Sequence, residues 1–529
     1  MNADDPGAAE TTPSTRHDSA EPFASVVATS TEVAASTSRR AKISALATLL
    51  SRLPPEHVAR TVAYLSGIVP QGRLGVGWRT LATVPPPAPQ SRLTLDAVDQ
   101  AFTALAATSG PGSVGRRAEL LAELFGAASA DEQAFLRRLI GGELRQGAAE
   151  AVLLQAVAVA AGLPEETVRR AAMLAGSVAA VAEPALSGGA QALARIGLRV
   201  GTPVSPMLAA AAVDLPAAMA GGGMRVVERK LDGIRLQAHR IGEEVRLFTR
   251  SLDDITARLP EVVTAVAGLD CNSAVLDGEV IALRPDGTPE PFQVTGVRTA
   301  SRGAGRAPRV PLTPWFFDLL HLDGTDLIDE PLHRRRAALE QVVGGADSEL
   351  LVPGIRTGDE QEAARFFADT LKAGHEGVVV KDPDAPYAAG RRGSGWVKVK
   401  PRHTLDLVVL AVEWGSGRRR GWLSNIHLGA RDPATGGFVM VGKTFKGMTD
   451  EMLRWQTERF NELATDRGDW VVSVRPEQVV EIALDGIQRS RRYPGGVALR
   501  FARVVRYRDD KTAAQADTIE TVRSLGPPV

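Results

Sequence analysis

Lys230 lies in the octet Glu228–Arg235, ERKLDGIR, where a lysine, an aspartate, a glycine and an arginine follow one another as K-x-D-G-x-R. A lysine attacks phosphorus or a carbonyl only as the neutral amine, and its free pKa is about 10.4, so a nucleophilic role needs desolvation or nearby cations. Asp232, two residues on, shares a side with Lys230 in an extended segment, and Gly233 permits a tight turn. By itself the octet reads equally well as a surface turn with an ion pair. Further groups follow in order. FTRSLDD supplies Arg250, VLDGEVIAL supplies Asp277 and Glu279, WFFDLLHLDG supplies Phe317, and GHEGVVVKDP supplies Glu376 and Lys381. RRGSGWVKVKP adds Arg392, Lys398 and Lys400, the two lysines on one face of a strand, and RFARVVRYRDDK adds Arg500, Arg503, Arg506, Arg508 and Lys511. Each also has an ordinary reading: an edge-strand charge, a core phenylalanine, a solvated strand face. Together they supply a nucleophile, cations for phosphates, carboxylates for a metal ion and a ring for a base, the needs of a site that handles a nucleotide.

The elements that must position these groups fall into blocks. Residues 1–38 are rich in Ala, Ser, Thr, Pro and acids, and are expected to be a disordered tail. Residues 39–198 carry apolar residues at three- and four-residue spacings, as in ISALATLLSRL and EAVLLQAVAVAAGL, and are expected to be helical. Ser129 and Asp131 are candidate caps, and Gly162 and Gly188 candidate stops. Residues 199–403 alternate strand-like and helical runs, as in a mixed α/β domain. Residues 404–515 are short strands with the texture of an OB-fold β-barrel, and 516–529 form a terminal tail.

A chain of 529 residues with 44% hydrophobic content has room for roughly three domains. Its net charge is zero, which neither announces nor excludes a nucleic-acid partner, because distribution matters more than the sum. The single cysteine, Cys271, excludes an intramolecular disulfide framework and a four-cysteine zinc site. No apolar run approaches the ~20 residues of a membrane span, and the acidic start lacks the features of a signal peptide. A cytoplasmic location, with no membrane partner, is expected.

With these motifs in this order, the chain resembles the ATP-dependent DNA ligases of the covalent nucleotidyltransferase superfamily, and most of all the three-domain actinobacterial type. FLRRLIGGELRQGAAEA (135–151) resembles that family's DNA-binding helical signature, from which Gly141 and Gly142 depart, and GTPVSPMLA (201–209) resembles the segment before its nucleophile. The resemblance implies a helical DNA-binding domain, a nucleotidyltransferase (adenylation) domain and an OB-fold domain. It implies that Lys230 is adenylated by ATP, that Glu228 recognises the adenine amino group and that Phe317 stacks on the ring. Arg235, Arg250 and Glu279 would hold ribose and phosphate, and Arg392, Lys398 and Lys400 the phosphates. Glu279 and Glu376 would bind Mg2+ or Mn2+, and Arg508, Asp510 and Lys511 would orient pyrophosphate. The implied partner is nicked double-stranded DNA, gripped by a monomer associated with the bacterial nucleoid. A capping guanylyltransferase or RNA ligase shares the lysine motif but not the helical signature. An NAD-dependent ligase resembles chains with a four-cysteine zinc site. An inactive end-binding protein would not need Lys230, Glu279, Glu376 and Lys398 together.

Overall fold

The computed structural model describes residues 21–144, 150–300, 310–388, 392–401 and 403–526. From Phe23 to Ala194 the described chain is helical, around one apolar core running from Phe23 to Leu193. The Ala130–Ile140 helix begins with a capping box, in which Ser129 accepts from the Glu132 N–H and Glu132 accepts from the Ser129 N–H at 2.8 Å. Gly162 (φ +65°) follows a helix end as expected. Gly188 does not stop its helix; the non-helical residue is Gly189, inside Val178–Ala194.

Part of the expected N-terminal tail is ordered. Residues Phe23–Ala35 form a helix that buries Phe23, Val26, Val27, Ser30 and Val33. These positions make a single helical stripe, which composition hides among Ala, Ser, Thr and Glu. Residues 1–20 lie outside the described residues, as do 145–149 of the helical signature.

The central block is two facing five-stranded sheets. The strands in chain order are β1 (Leu208–Ala211), β2 (Arg225–Lys230), β3 (Ile234–Ile241), β4 (Glu244–Thr249), β5 (Ser273–Ala282), β6 (Leu312–Leu322), β7 (Thr325–Asp326), β8 (Gly354–Thr357), β9 (Gly377–Lys381) and β10 (Arg392–Val399). One sheet runs β1-β10-β9-β2-β8 and the other β4-β3-β5-β6-β7. Two-residue alternation sorts β2. Val227 packs outward with Val378, Val380 and Val399 against the Leu215–Met219 and Glu360–Lys372 helices, leaving Glu228 and Lys230 on the opposite face. Register sets Lys230 opposite Gly377. At Gly377, φ is +148° and a Cβ would run into the Val399 carbonyl oxygen, so only glycine fits beside the nucleophile candidate.

The helical block shares core with this one. Met173 and Leu174 belong to the same apolar cluster as Met207, Leu231, Phe317 and Trp396. The connecting segment is tied on both sides: Ser205 donates to the Met173 carbonyl at 3.1 Å, Gly201 to His239 Nδ1 at 2.9 Å and Val204 to Gln237 at 2.8 Å.

Beyond it lie β11 (His403–Trp414), β12 (Leu423–Arg431), β13 (Phe438–Thr444), β14 (Ala464–Arg467), β15 (Val471–Val474), β16 (Val479–Leu484), β17 (Gly486–Arg489), β18 (Val497–Arg500) and β19 (Arg503–Tyr507). Strand β11 is long enough to pair with β12 along one edge and with β16, then β15, along the other. The sheet wraps its own core, and with the β17–β18 hairpin it forms an all-β block in keeping with the expected OB-fold, although its ladders do not close a ring among the described residues. The expected C-terminal tail contains a short helix, Ile519–Ser524, that buries Ile519 and Val522 on that core.

Candidate active site

A cavity of about 760 Å³ opens between the two central sheets. Lys230, Glu228, Arg235, Arg250, Glu279, Phe317, Glu376, Lys398 and Lys400 all line it. The sequence separates these residues by up to 172 positions; sheet register brings them together.

At the reacting end, Lys230 sits on the last residue of β2, and Glu376 donates its backbone N–H to the Lys230 carbonyl at 3.2 Å. Lys230 Nζ donates to the Glu376 carboxylate and to the Leu231 carbonyl, the latter at 3.2 Å. Lys400 Nζ donates to the other Glu376 oxygen and to Asp485 at 3.1 Å. Burial works against charge on Glu376, but Lys230 and Lys400 hold its carboxyl below the ordinary range. Burial lowers Lys400, and Glu376 together with Asp485 more than reverses that. Glu279 accepts from the Gly233 N–H at 2.6 Å. Burial raises its carboxyl above the usual value despite the opposing pull of Lys230, and Glu376 adds to the rise.

No group of three or more His, Cys, Asp or Glu side chains arranged to hold a metal exists among the described residues. Two carboxylates on one cavity nevertheless fit a hard divalent cation, since Mg2+ needs only one or two from the protein when substrate phosphates complete its shell. The oxygen-only donors of Glu279 and Glu376 suit that ion.

At the other end, Phe317 and Trp396 meet edge to face at 5.8 Å. Lys381 Nζ lies 4.8 Å from the Phe317 ring centre and 4.2 Å from that of Trp396. It pairs with Glu228 at 2.5 Å, and burial pushes its ammonium down while Glu228 opposes the shift. Arg235 lines the cavity and is anchored from behind: it forks onto Asp277 through two of its nitrogens at 2.6 and 2.5 Å, lies 4.7 Å from the Phe317 ring centre, and burial, which lowers it, is outweighed by Asp277, which raises it. Arg250 lines the cavity directly after the end of β4. Arg392 begins β10, its backbone in register with Leu208.

Arg508 and Lys511 are elsewhere. Arg508 pairs with Asp510 at 2.7 Å and Asp406 at 3.2 Å, and Lys511 with Asp406 at 2.5 Å. The C-terminal block turns a different surface to the cavity, carrying Arg500 and Phe501. Arg500 forks onto Asp232 at 2.7 and 3.1 Å, and Gln488 accepts from Gln293 at 3.1 Å. Sequence reasoning missed this pair, together with Trp396 and Arg336. Trp396 had a signal, its place two residues before Lys398. Arg336 had none, being one of three successive arginines on a helix.

A lysine braced by carboxylates and cations at one end of a cleft, with rings and a buried carboxylate at the other, defines an enzyme that transfers a nucleotide through its phosphorus. Comparison with known proteins agrees. Residues 206–400 match the family "ATP dependent DNA ligase domain", 80–158 "DNA ligase N terminus" and 419–511 "ATP dependent DNA ligase C terminal region". A "Probable DNA ligase" of Beutenbergia cavernae is 59% identical over 512 residues, covering 95% of this chain and 99% of that protein. "DNA ligase B" of Mycobacterium tuberculosis is 57% identical over 507 residues, covering 94% of this chain and 99% of its own. Among solved structures, Pmar-Lig_PreS3 superposes with a TM-score of 0.62 at 18% identity, over 91% of this chain and 99% of that one, a likeness of fold. The chain belongs to the ATP-dependent DNA ligase family.

Proposed function

We propose that this ATP-dependent DNA ligase seals nicks in duplex DNA with Lys230 as its nucleophile. Lys230 reacts as the neutral amine, its ammonium proton having passed to water; its lone pair attacks the α-phosphorus of ATP, and the nitrogen gives up a second proton to water as the phosphoramidate forms. An N–P bond forms, the bond to the β-phosphate breaks, and pyrophosphate leaves. The 5′-phosphate at the nick then attacks the lysine-bound phosphorus; the N–P bond breaks and AMP passes to the DNA end. Finally the 3′-hydroxyl attacks the activated 5′-phosphate, forming the phosphodiester and releasing AMP.

In this reading Glu228 accepts from the adenine amino group and Phe317 lies against the base. Arg235 and Arg250 hold ribose and phosphate, and Arg392, Lys398 and Lys400 offset charge on phosphate oxygens. A magnesium or manganese ion held by Glu279 and Glu376 would supply further charge stabilisation at those oxygens. Arg508 and Lys511 would serve pyrophosphate departure after the C-terminal block has turned. The helical block grips duplex DNA through phosphate contacts, without sequence preference. The enzyme acts as a monomer, in the cytoplasm at the nucleoid; no helix among the described residues is long and apolar enough to cross a membrane.

The observation that carries the reading is the placement of Lys230, Glu376, Lys400 and Glu279 at one end of a single cavity, and of Glu228 and Phe317 among its other lining residues. The test is a 5′-phosphorylated nick offered with ATP, GTP or NAD+ in turn. Sealing with ATP, one AMP released per joint, is the expected result; equal sealing with GTP or NAD+ would overturn it.

A further inference from the structure

The helix Leu332–Val342 lies on β6, and two consecutive arginines of its sequence HRRRAAL are buried. Arg335 is fully buried and forks onto Asp318, also fully buried, at 2.7 and 2.9 Å. It further donates to the Ala385 carbonyl at 3.1 Å. Asp318 directly follows Phe317, so this pair pins β6 where the ring enters the cavity. Arg336, 6% exposed, reaches a different carboxylate. It donates to Glu228 Oε1, to the Val352 carbonyl at 3.2 Å and to Glu340 at 3.0 Å. The second Glu228 oxygen faces Lys381.

Which edge of a base a carboxylate can serve depends on where its oxygens point. An arginine's planar guanidinium fixes direction as well as charge, and that of Arg336 spans Glu228, Glu340 and the Val352 carbonyl at once. Arg336 therefore does for Glu228 what Arg335 does for the strand behind Phe317. From these contacts we infer that Arg336 is a positioning residue that sets base specificity: it holds the Glu228 carboxylate aimed into the cavity, so that the site takes a purine bearing a 6-amino group and rejects a 6-oxo purine. The inference rests on the reading of Glu228 as the partner of the base.

The mechanism predicts where the effect falls. Arg336 touches neither phosphate nor Lys230, so its loss should leave the chemical step alone and weaken nucleotide binding. Formation of the lysyl adduct is measured against concentration for ATP and for inosine triphosphate, whose 6-position is an oxygen. The proteins are wild type, Arg336→Met, Arg336→Lys, Glu228→Ala and Glu228→Ala combined with Arg336→Met. Arg336→Met should raise KM for ATP at least about tenfold, the effect of misdirecting one charge-assisted hydrogen bond, with kcat within about threefold. Its preference for ATP over inosine triphosphate should shrink to that of Glu228→Ala. Arg336→Lys, which keeps the charge but not the fork, should fall between wild type and Arg336→Met. In the Glu228→Ala background Arg336→Met should add nothing, because both changes remove one interaction.

If Glu228→Ala alone leaves KM and base preference unchanged, the assignment of Glu228 fails, and the inference with it. If Glu228→Ala has its effect while both Arg336 variants behave as wild type, only the inference fails. Additive losses in the double variant, or a fall in kcat at constant KM, would likewise overturn it. Should Arg336→Met not fold, Arg336→Lys decides: unchanged base preference in that variant sinks the proposal.

Discussion

Arg500→Ala removes the fork by which the C-terminal block holds Asp232, two residues from Lys230. The two side chains are 23% and 29% exposed. A pair so placed should be worth more than the 0–1 kcal/mol of an open surface pair and less than the roughly 3–5 kcal/mol lost on breaking a buried one. About 1–2 kcal/mol changes an equilibrium by roughly five- to thirtyfold. In the proposed reading the equilibrium is between the observed placement, with Arg500 at the cavity, and one in which Arg508 and Lys511 would reach it. If the same domain presents both surfaces in turn, closing for one step would require opening for another. Single-turnover assays separate the steps. Sealing of a pre-adenylated nick should slow by about that five- to thirtyfold factor in Arg500→Ala and by less in Arg500→Lys. Adenylation of Lys230 by ATP should be unchanged or faster. If adenylation falls as far as sealing, or if neither step changes, Asp232–Arg500 is not a latch and the reasoning fails.

The complementary change, Arg508→Ala, should slow adenylation by orders of magnitude through lost positioning of pyrophosphate, while pre-adenylated nicks are sealed nearly as before; equal loss in both single-turnover assays would contradict it. Leu174→Ala should destabilise the enzyme by about 2–5 kcal/mol, and heat-inactivation of Lys230 adenylation should move to lower temperature with it, because Leu174 is in the same core as Phe317 and Leu231. Unchanged thermal inactivation would show that the helical block and the cavity are uncoupled. Acid stability of the C-terminal block should depend on Glu413, whose carboxyl burial would raise but which Lys443, His427 and Asn425 hold down to about 2 by hydrogen bonding. A depressed folded pKa adds stability above the unfolded value, about 4.3, and that contribution is lost as pH falls from there towards 2. Glu413→Gln should flatten this part of a pH–stability curve followed by Trp fluorescence.

The fold class was legible because its signals are local. Strand-like runs bounded by Gly, Asp and Pro marked β3, β4, β5, β6 and β9, and three- and four-residue spacing marked the helices before residue 198. The cavity-lining residues were legible because each stands at a strand end or on one face of a strand, where alternation fixes its direction. What escaped depended on long-range packing. Phe23–Ala35 is helical because its single apolar stripe meets a core built by distant helices, and composition alone reads such a stripe as tail. Arg336 looks like its neighbours Arg334 and Arg335 until the helix is placed on β6: Arg334 pairs with Glu330 at the surface, whereas Arg336 meets Glu228, 108 residues earlier. The Arg500–Asp232 contact spans 268 positions and depends on how two blocks are turned, which no spacing encodes.

The central claim is that Lys230 carries the nucleotide. Enzyme incubated with α-labelled ATP and magnesium, then denatured and separated on a gel, should keep the label covalently, with peptide mapping placing AMP on Lys230. Lys230→Ala should keep none, and Lys230→Arg none either, because a guanidinium stays protonated and cannot attack. Label retained by Lys230→Ala at the wild-type level, or mapped to another residue, would contradict the account.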